Sequence, residues 1–573
     1  MAIQPFHWSA LLLPLIASSC GSDAESPGTS GAADLRRGEP WFLESAAANG
    51  LRFEHISGHN KRHFMPEIMG GGAALFDMDG DGDLDAYLVQ SGSLEGSSSA
   101  GNQLFENDGQ GHFRDVTEGS GAGDRGYGNG VACGDVDGDG DTDLFVTNTG
   151  PNVLLLNQGG GRFVDATAAA GLGDAGWGTS ASFFDADADG LLDLYVVNYL
   201  DWSQATEMEC NHQNSGPDYC SPKNYKSPAR DVFYRNLGGG RFEDQSVVSG
   251  IAAEPSNGLG VGCADFNGDG HMDLFVANDG MADHLWIGDG QGRFENKAYL
   301  WGCATDANGL KKAGMGVALA DIDDDLDVDI LVCNLSGESD SMYLNGGGFF
   351  TDGTVLGGLA AASKPFTRFG MGLVDFDNDG YLDLFQANGR VARANEAGAG
   401  DPYAEENLLL RGTPSGRFEE VLPRGGTREA LSATSRAAAF GDVNGDGKLD
   451  VLVVNRDGPA HLLLNQTSNS NRWIELRVLD ANGADALGAT VEFTLGERKQ
   501  RRDVRAGYSY QASNDPKLHI GMGEFDVLQD LRVRWPNGSE QTIPRTEPGS
   551  IYQAFEPGSS VQSSTQQPAS SDE

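Results

Sequence analysis

The chain has 573 residues, 82 of them glycine, and a formal charge of −45 from 84 acidic and 39 basic residues. That length can bury more than one core, and so much glycine in short clusters favours many short strands over long helices. The acidic excess argues against a nucleic-acid partner, which needs a basic face, and a hydrophobic content of 39% is too high for a disordered acidic chain.

The N-terminus reads as an export signal. Phe6 to Ser18 is an apolar run, with Leu11, Leu12, Leu13, Leu15 and Ile16, too short to span a bilayer. Ala17-Ser18-Ser19-Cys20 follows and resembles a bacterial lipobox, whose cysteine carries lipid. No Lys or Arg precedes the run, and Ala17 stands where a lipobox prefers Leu; the other reading is an ordinary signal peptide with an incidental cysteine. We expect a signal peptide over 1–20 with lipidation at Cys20, and a Ser/Gly/Ala/Asp-rich flexible tether over 21–40. No later segment is long and apolar enough to cross a membrane, so the membrane is met only through the lipid.

Over 41–468 the chain repeats. A nine-residue run recurs seven times: DMDGDGDLD from Asp77, DVDGDGDTD from Asp135, DADADGLLD from Asp185, DFNGDGHMD from Asp265, DIDDDLDVD from Asp321, DFDNDGYLD from Asp375 and DVNGDGKLD from Asp442. A small-residue strand precedes each run, such as GVALA or GMGLV, and an apolar strand follows, such as DLFVTN or DVLVVN. A third strand (NVLLLN), a Gly-rich hairpin and a fourth strand (FVDAT) complete the unit. Repeats of 50 to 80 residues with four short antiparallel strands suit the blades of a propeller. The seventh repeat lacks its fourth strand, but FLESAAANGL, from Phe42, aligns without gaps on FVDATAAAGL, from Phe163. The N-terminal strand should therefore close the ring and remove its open edges. The fold class is all-β, a seven-bladed β-propeller with a small β-rich domain after it.

The runs read as calcium loops. Calcium takes six to eight oxygens. Carboxylates at positions 1, 3 and 5, a Gly turn at 6 and a closing acid at 9 wrap one ion, with position 7 supplying its backbone carbonyl. The expected ligands are Asp77, Asp79, Asp81 and Asp85; Asp135, Asp137, Asp139 and Asp143; Asp185, Asp187, Asp189 and Asp193; Asp265, Asn267, Asp269 and Asp273; Asp321, Asp323, Asp325 and Asp329; Asp375, Asp377, Asp379 and Asp383; and Asp442, Asn444, Asp446 and Asp450. About one Ca²⁺ per blade is expected. Position 2 is apolar throughout and position 8 mostly so, which lets those side chains pack inward. The alternative for a single run is an Asp/Gly turn held by its own hydrogen bonds. The fifth loop departs at position 6, where Leu326 replaces Gly.

Cys210 and Cys220 share one Asn/Ser/Pro-rich insertion and are expected to be disulfide-bonded, since export permits it. Cys133 and Cys263 fall where other repeats have Leu or Phe and read as core residues.

These loops and strands resemble the FG-GAP/VCBS repeats of integrin α-type propellers. EIMGGGAALFDMDGDGDLD, CSPKNYKSPARDVFYRNLGGGRFED, NRWIELRVL and LHIGMG…LRVRWPNG are similar to phrases of the cartilage acidic protein family, whose bacterial members carry an ASPIC/UnbV domain after the propeller. The resemblance covers about Phe42 to Phe555 and implies an ASPIC/UnbV domain over 469–556. The residues themselves read as β-rich there, with strands around Trp473–Leu479, Val491–Leu495, Leu531–Trp535 and Ile551–Phe555 and a turn at Trp535-Pro536-Asn537-Gly538. Acids and bases nearly balance in this domain. A basic hairpin, Arg498, Lys499, Arg501, Arg502 and Arg505, either docks on acidic surface or stays solvated. Residues 557–573 are a Ser/Gln-rich tail expected to be disordered.

Each calcium run joins strand one to strand two, so all seven loops share one face. The insertions Tyr199–Arg230 and Gly389–Glu406, and the segment with His55, His59 and His63, lie on the other. The leading expectation is an exported binding or adhesion protein, lipid-anchored on the cell envelope (at the outer membrane) or extracellular, meeting a protein or glycan on that second face around the central channel, with calcium structural. The alternative is an enzyme or biosynthesis-associated protein, which the resemblance to UnbV implies, with the three histidines binding a catalytic metal.

Overall fold

The computed structural model describes residues 38–557, apart from 60–61, 96–99, 213–215, 395–399 and 545. The expected signal peptide with Cys20, most of the expected tether and nearly all of the expected tail lie outside the described residues.

Each repeat folds as a four-stranded antiparallel sheet. In the second, Gly128–Gly134 runs into the acidic loop, Asp143–Asn148 leaves it, and Val153–Asn157 and Phe163–Asp165 follow. The second strand is buried on both sides, which explains why its sequence is a continuous apolar run rather than an alternating one. Among the described residues, seven such sheets are present. The first strands of successive sheets, from Ala73–Phe76 through to Ser435–Gly441, pack against one another in a closed circuit. Small residues let them approach. A β-carbon on Gly260 would lie 2.2 Å from the Met315 carbonyl oxygen, and one on Gly316 would lie 2.0 Å from that of Phe369. Phe42–Glu44 pairs antiparallel with Asn465–Leu463 and supplies the seventh sheet's outer strand, the arrangement that the alignment of FLESAAANGL on FVDATAAAGL predicts.

The C-terminal domain has two sheets. One orders Leu518–Gly523, Arg472–Leu479 and Ser550–Phe555; the other orders Arg498–Asp503, Thr490–Leu495, Gln529–Arg534 and Glu540–Thr542. Ile474, Val491, Phe493, Leu531, Val533 and Trp535 fill the space between, and the Trp535 indole donates to the Leu479 carbonyl at 2.9 Å.

This domain sits on the acidic-loop face, and residues 506–515 run down the axis of the ring. Ser509 exchanges backbone hydrogen bonds with Val317 at 2.7 and 2.9 Å. Its hydroxyl donates to the Ala438 carbonyl at 2.8 Å and accepts from the Met371 amide at 2.9 Å. Ala512–Ser513 adds a parallel strand to Ala73–Ala74. Asn514 accepts from the Phe440 amide, and Ser513 from that of Cys133. Tyr510 is fully buried, with its ring 4.9 Å from that of Phe369. The channel that the repeats enclose is thus filled by the chain's own C-terminal segment.

The basic hairpin is docked. Arg498 Nε lies 2.6 Å from Asp324 Oδ2, Arg501 donates to the Leu326 carbonyl at 3.2 Å, and Arg505 reaches the Leu319 carbonyl. Elsewhere on the same face Arg477 approaches Asp77 at 3.6 Å. The domain's near-neutral total hides a polarised distribution, with its bases turned toward the acidic ring.

Candidate functional site

The acidic loops share one backbone plan. In the first, the Asp77 carboxylate accepts from the Gly80 amide at 2.8 Å and the Gly82 amide at 3.1 Å, and Asp81 accepts from the Asp83 amide at 2.9 Å. Positions 4 and 6 are left-handed, with φ of 82° at Gly80 and 95° at Gly82, which is why glycine dominates there. The side chains of positions 1 and 3 then converge.

Position 9 has a second role that the ligand spacing alone does not reveal. Asp85 accepts from the Met78 amide at 3.0 Å and, across the sheet, from the Asn107 amide at 2.8 Å. Asp143, Asp193, Asp273, Asp329, Asp383 and Asp450 make the same pair of contacts in their repeats. These carboxylates clip each loop to the third strand while crowding against its other acids.

The donor sets fit a hard cation. Carboxylate oxygens of Asp77, Asp79 and Asp85 lie within 4.8 Å of one another, as do those of Asp135, Asp137 and Asp143, of Asp185, Asp187 and Asp193, of Asp375, Asp377 and Asp383, and, in the fifth loop, of Asp321, Asp323 and Asp325. The fifth loop therefore gathers positions 1, 3 and 5 rather than 1, 3 and 9. In the fourth and seventh loops, Asn267 and Asn444 stand at position 3 and leave no such three-carboxylate group. Asp137 Oδ1 and Asp187 Oδ1 are buried without a hydrogen-bond partner, a condition that a cation relieves. Burial, reinforced by the neighbouring carboxylates, pushes Asp85, Asp143, Asp273 and Asp329 up to about 8 and Asp193 up to about 7. Two loops carry a guanidinium of their own. Arg411 lies 2.9 Å from Asp377 and 2.6 Å from Asp379, and Arg235 bridges Asp187 and Asp189 in the same way.

Access differs around the ring. A cleft of about 340 Å³ separates the second and third loops from Asp480, Asp485 and Trp535. At the sixth loop a β-carbon on Gly521 would lie 1.9 Å from Asp375 Oδ2, so the C-terminal domain presses directly on it.

The fifth loop holds two side-chain-bearing residues in left-handed conformation, Asp324 at φ 63° and Leu326 at φ 75°. A left-handed non-glycine residue costs roughly 1–2 kcal/mol. Leu326→Gly should remove that cost while keeping the Arg501 bond, which goes to the backbone. In a calcium titration, a late-filling step should move to lower concentration by about fivefold or more. An unmoved late step would show that Leu326 does not limit calcium at this loop.

On the opposite face, Cys210 and Cys220 are bonded, with Cα atoms 5.2 Å apart, and Cys133, Cys263, Cys303 and Cys333 are buried thiols. Of the three histidines, His59 and His63 come together with ring centroids 4.9 Å apart, and His55 bonds elsewhere. His55 is buried, with Nε2 3.0 Å from Ser91 Oγ. His63 Nε2 meets Arg393 at 3.1 Å. His59 Nδ1 lies 2.9 Å from Glu67 Oε2. Spacings of four residues in an irregular segment do not align side chains as a helix would. Tyr219, on the disulfide-bonded insertion, joins His59 instead.

The FG-GAP-like repeat family matches residues 77–146, 135–196, 217–276 and 265–332, and the ASPIC and UnbV family matches residues 480–561. Cartilage acidic protein 1 of Xenopus tropicalis is 28% identical over 315 residues, covering 51% of this chain and 44% of that protein. The Homo sapiens protein is 27% identical over 335 residues, covering 55% and 46%. The chain is a homologue of cartilage acidic protein 1. It spans about half the length of the curated relatives that it matches. Among solved structures, an Agrocybe aegerita lectin that recognises non-reducing terminal N-acetylglucosamine aligns at TM-score 0.36 and 16% identity, covering 68% of this chain and 86% of that one. YCF48 bound to D1 peptide aligns at TM-score 0.39 and 10% identity, covering 72% and 98%. At these scores the likenesses carry no weight for function. The homology, the repeats and the sheet pattern agree on an all-β, propeller-like protein with a C-terminal ASPIC/UnbV domain. Among the described residues, no helix is long and apolar enough to cross a membrane.

Proposed function

We propose that this homologue is an exported interaction protein: a seven-bladed ring loaded with structural calcium that binds a protein or glycan on the face opposite its acidic loops. One observation carries the reading. The C-terminal domain sits on the acidic-loop face and fills the axis, and the other face, with its disulfide-bonded insertion, is free of that domain. An extracellular setting agrees with that disulfide. Anchoring through lipid on Cys20 belongs to the same proposal, and fractionation of a Cys20→Ser protein tests it: release from the membrane fraction is expected.

An array of extracellular proteins and glycans, probed in calcium, tests the binding reading. Wild type should retain a restricted set of features. A variant with residues 203–226 replaced by a short turn should lose them at least tenfold. Binding that survives this trimming would place the ligand elsewhere. A second reading, a catalytic site on the same face, is favoured by the Glu67–His59 pair, in which a buried carboxylate orients a half-exposed imidazole.

A further inference from the structure

We propose that His59, Glu67 and Tyr219 form a site for one first-row transition-metal ion, distinct in place and chemistry from the acidic loops.

The three donor atoms form a small triangle. His59 Nδ1 lies 2.9 Å from Glu67 Oε2 and 3.0 Å from the Tyr219 hydroxyl, and the two oxygens are 3.5 Å apart. Ligands held about 2.1 Å from one metal are separated by about 3.0 Å at right angles and about 3.4 Å in a tetrahedron. The observed edges match that range. Without a metal the triangle is held by hydrogen bonds, with the Tyr219 hydroxyl donating to Glu67 at 3.5 Å. Nδ1 offers either one proton or one lone pair. Protonated, it donates to Glu67 at 2.9 Å and has the Tyr219 oxygen beside it at 3.0 Å. Unprotonated, it accepts from Tyr219 but faces the Glu67 carboxylate lone pair to lone pair at 2.9 Å. A cation at the centre satisfies all three donors at once.

Each donor is anchored by a different part of the fold. Glu67 lies in the single turn Met65–Ile68 and is 1% exposed. Tyr219 adjoins Cys220, so the disulfide fixes it, and Arg456 donates to its hydroxyl at 3.4 Å. The His59 segment is held through Ser57, whose amide and hydroxyl meet the Asp457 carboxylate at 2.7 and 2.8 Å. This is the preorganisation that a metal site requires. His63 and Tyr403 pack around Tyr219 at ring distances of 5.2 and 5.7 Å as a wall and not as ligands. The His59 side chain is 35% exposed, so the remaining coordination positions open to solvent, where a ligand of the same face can reach them. One imidazole nitrogen and two oxygens suit zinc, iron or copper, whereas calcium takes oxygen alone.

The test uses the full-length protein purified in calcium, exposed to excess Zn²⁺, desalted and assayed by elemental analysis. About one zinc per chain should be retained. Tyr219→Phe and His59→Gln, which preserve packing, should each weaken zinc at least tenfold in a calorimetric titration. Calcium content and the melting temperature in calcium should not change. The inference is overturned if wild type retains no zinc and likewise no copper or iron. Zinc retention undiminished in the double variant overturns it too. Either result leaves the array experiment on the interaction reading unaffected.

Discussion

Chelation of calcium by EDTA is expected to lower the melting temperature by more than about 10 °C, and restored calcium to recover it. The cause is visible loop by loop. Position-9 acids such as Asp85 and Asp143 are held in the sheet by backbone amides and cannot swing away from positions 1 and 3. Without a cation, their ionisation is opposed by burial and by the adjacent carboxylates, which is why Asp85, Asp143, Asp273 and Asp329 stand near 8. The sign of the pH dependence follows. A carboxyl whose folded value is raised favours the folded state fully below the unfolded value of about 4 and ceases to do so as pH rises through the folded value. The stripped protein should therefore melt higher at pH 5 than at pH 8. Calcium should reverse that order, because calcium binds the ionised form. Differential scanning calorimetry at the two pH values, with and without calcium, reads both effects. An unchanged melting curve after verified calcium removal would refute calcium as part of the fold.

Tyr510→Ala is the second large effect. The ring of Tyr510 is fully enclosed in the axis, edge-on to Phe369, while its hydroxyl makes only a 3.5 Å contact with the Met69 carbonyl. Truncating a buried aromatic costs about 3–5 kcal/mol, and the cavity here would lie where the two domains meet. Tyr510→Phe keeps the packing and should cost less than about 1 kcal/mol. In urea denaturation followed by near-ultraviolet circular dichroism, the alanine variant should lose stability and the phenylalanine variant hold it. Equal behaviour of the two would mean that the axis is not packed around this ring.

The repeats were legible because their signal is local. Four oxygens at fixed spacing, left-handed glycines and a continuous apolar strand all fall within about twenty residues, and seven copies remove chance. Ring closure was legible because Phe42 to Leu51 retains the pattern of Phe163 to Leu172. Domain docking was not. Net charge averages over a surface, and Arg477, Arg498 and Arg501 turn one way only after folding. Residues 506–515 have no periodicity, because a plug takes its shape from the ring around it. Ser509 and Gln511 even adopt left-handed backbone at φ 84° and 56°. His59 was visible, but its neighbours were not. Glu67 stands in a turn eight residues on, and Tyr219 comes from an insertion 160 residues away, and no spacing rule connects them.

The pairing of Phe42–Glu44 with Leu463–Asn465 fixes an order of events. The Phe42–Glu44 strand has no antiparallel partner until His461–Asn465 has been made, more than 400 residues later. The seventh sheet is thus assembled from the two ends of the ring-forming chain, and a truncated product ending anywhere before it leaves an unpaired edge at both ends. Such contacts are slow to form, since distant residues must meet before any bond rewards them. The 506–515 segment comes later still and enters an axis already lined. Until the seventh sheet closes, partial products expose unpaired strand edges.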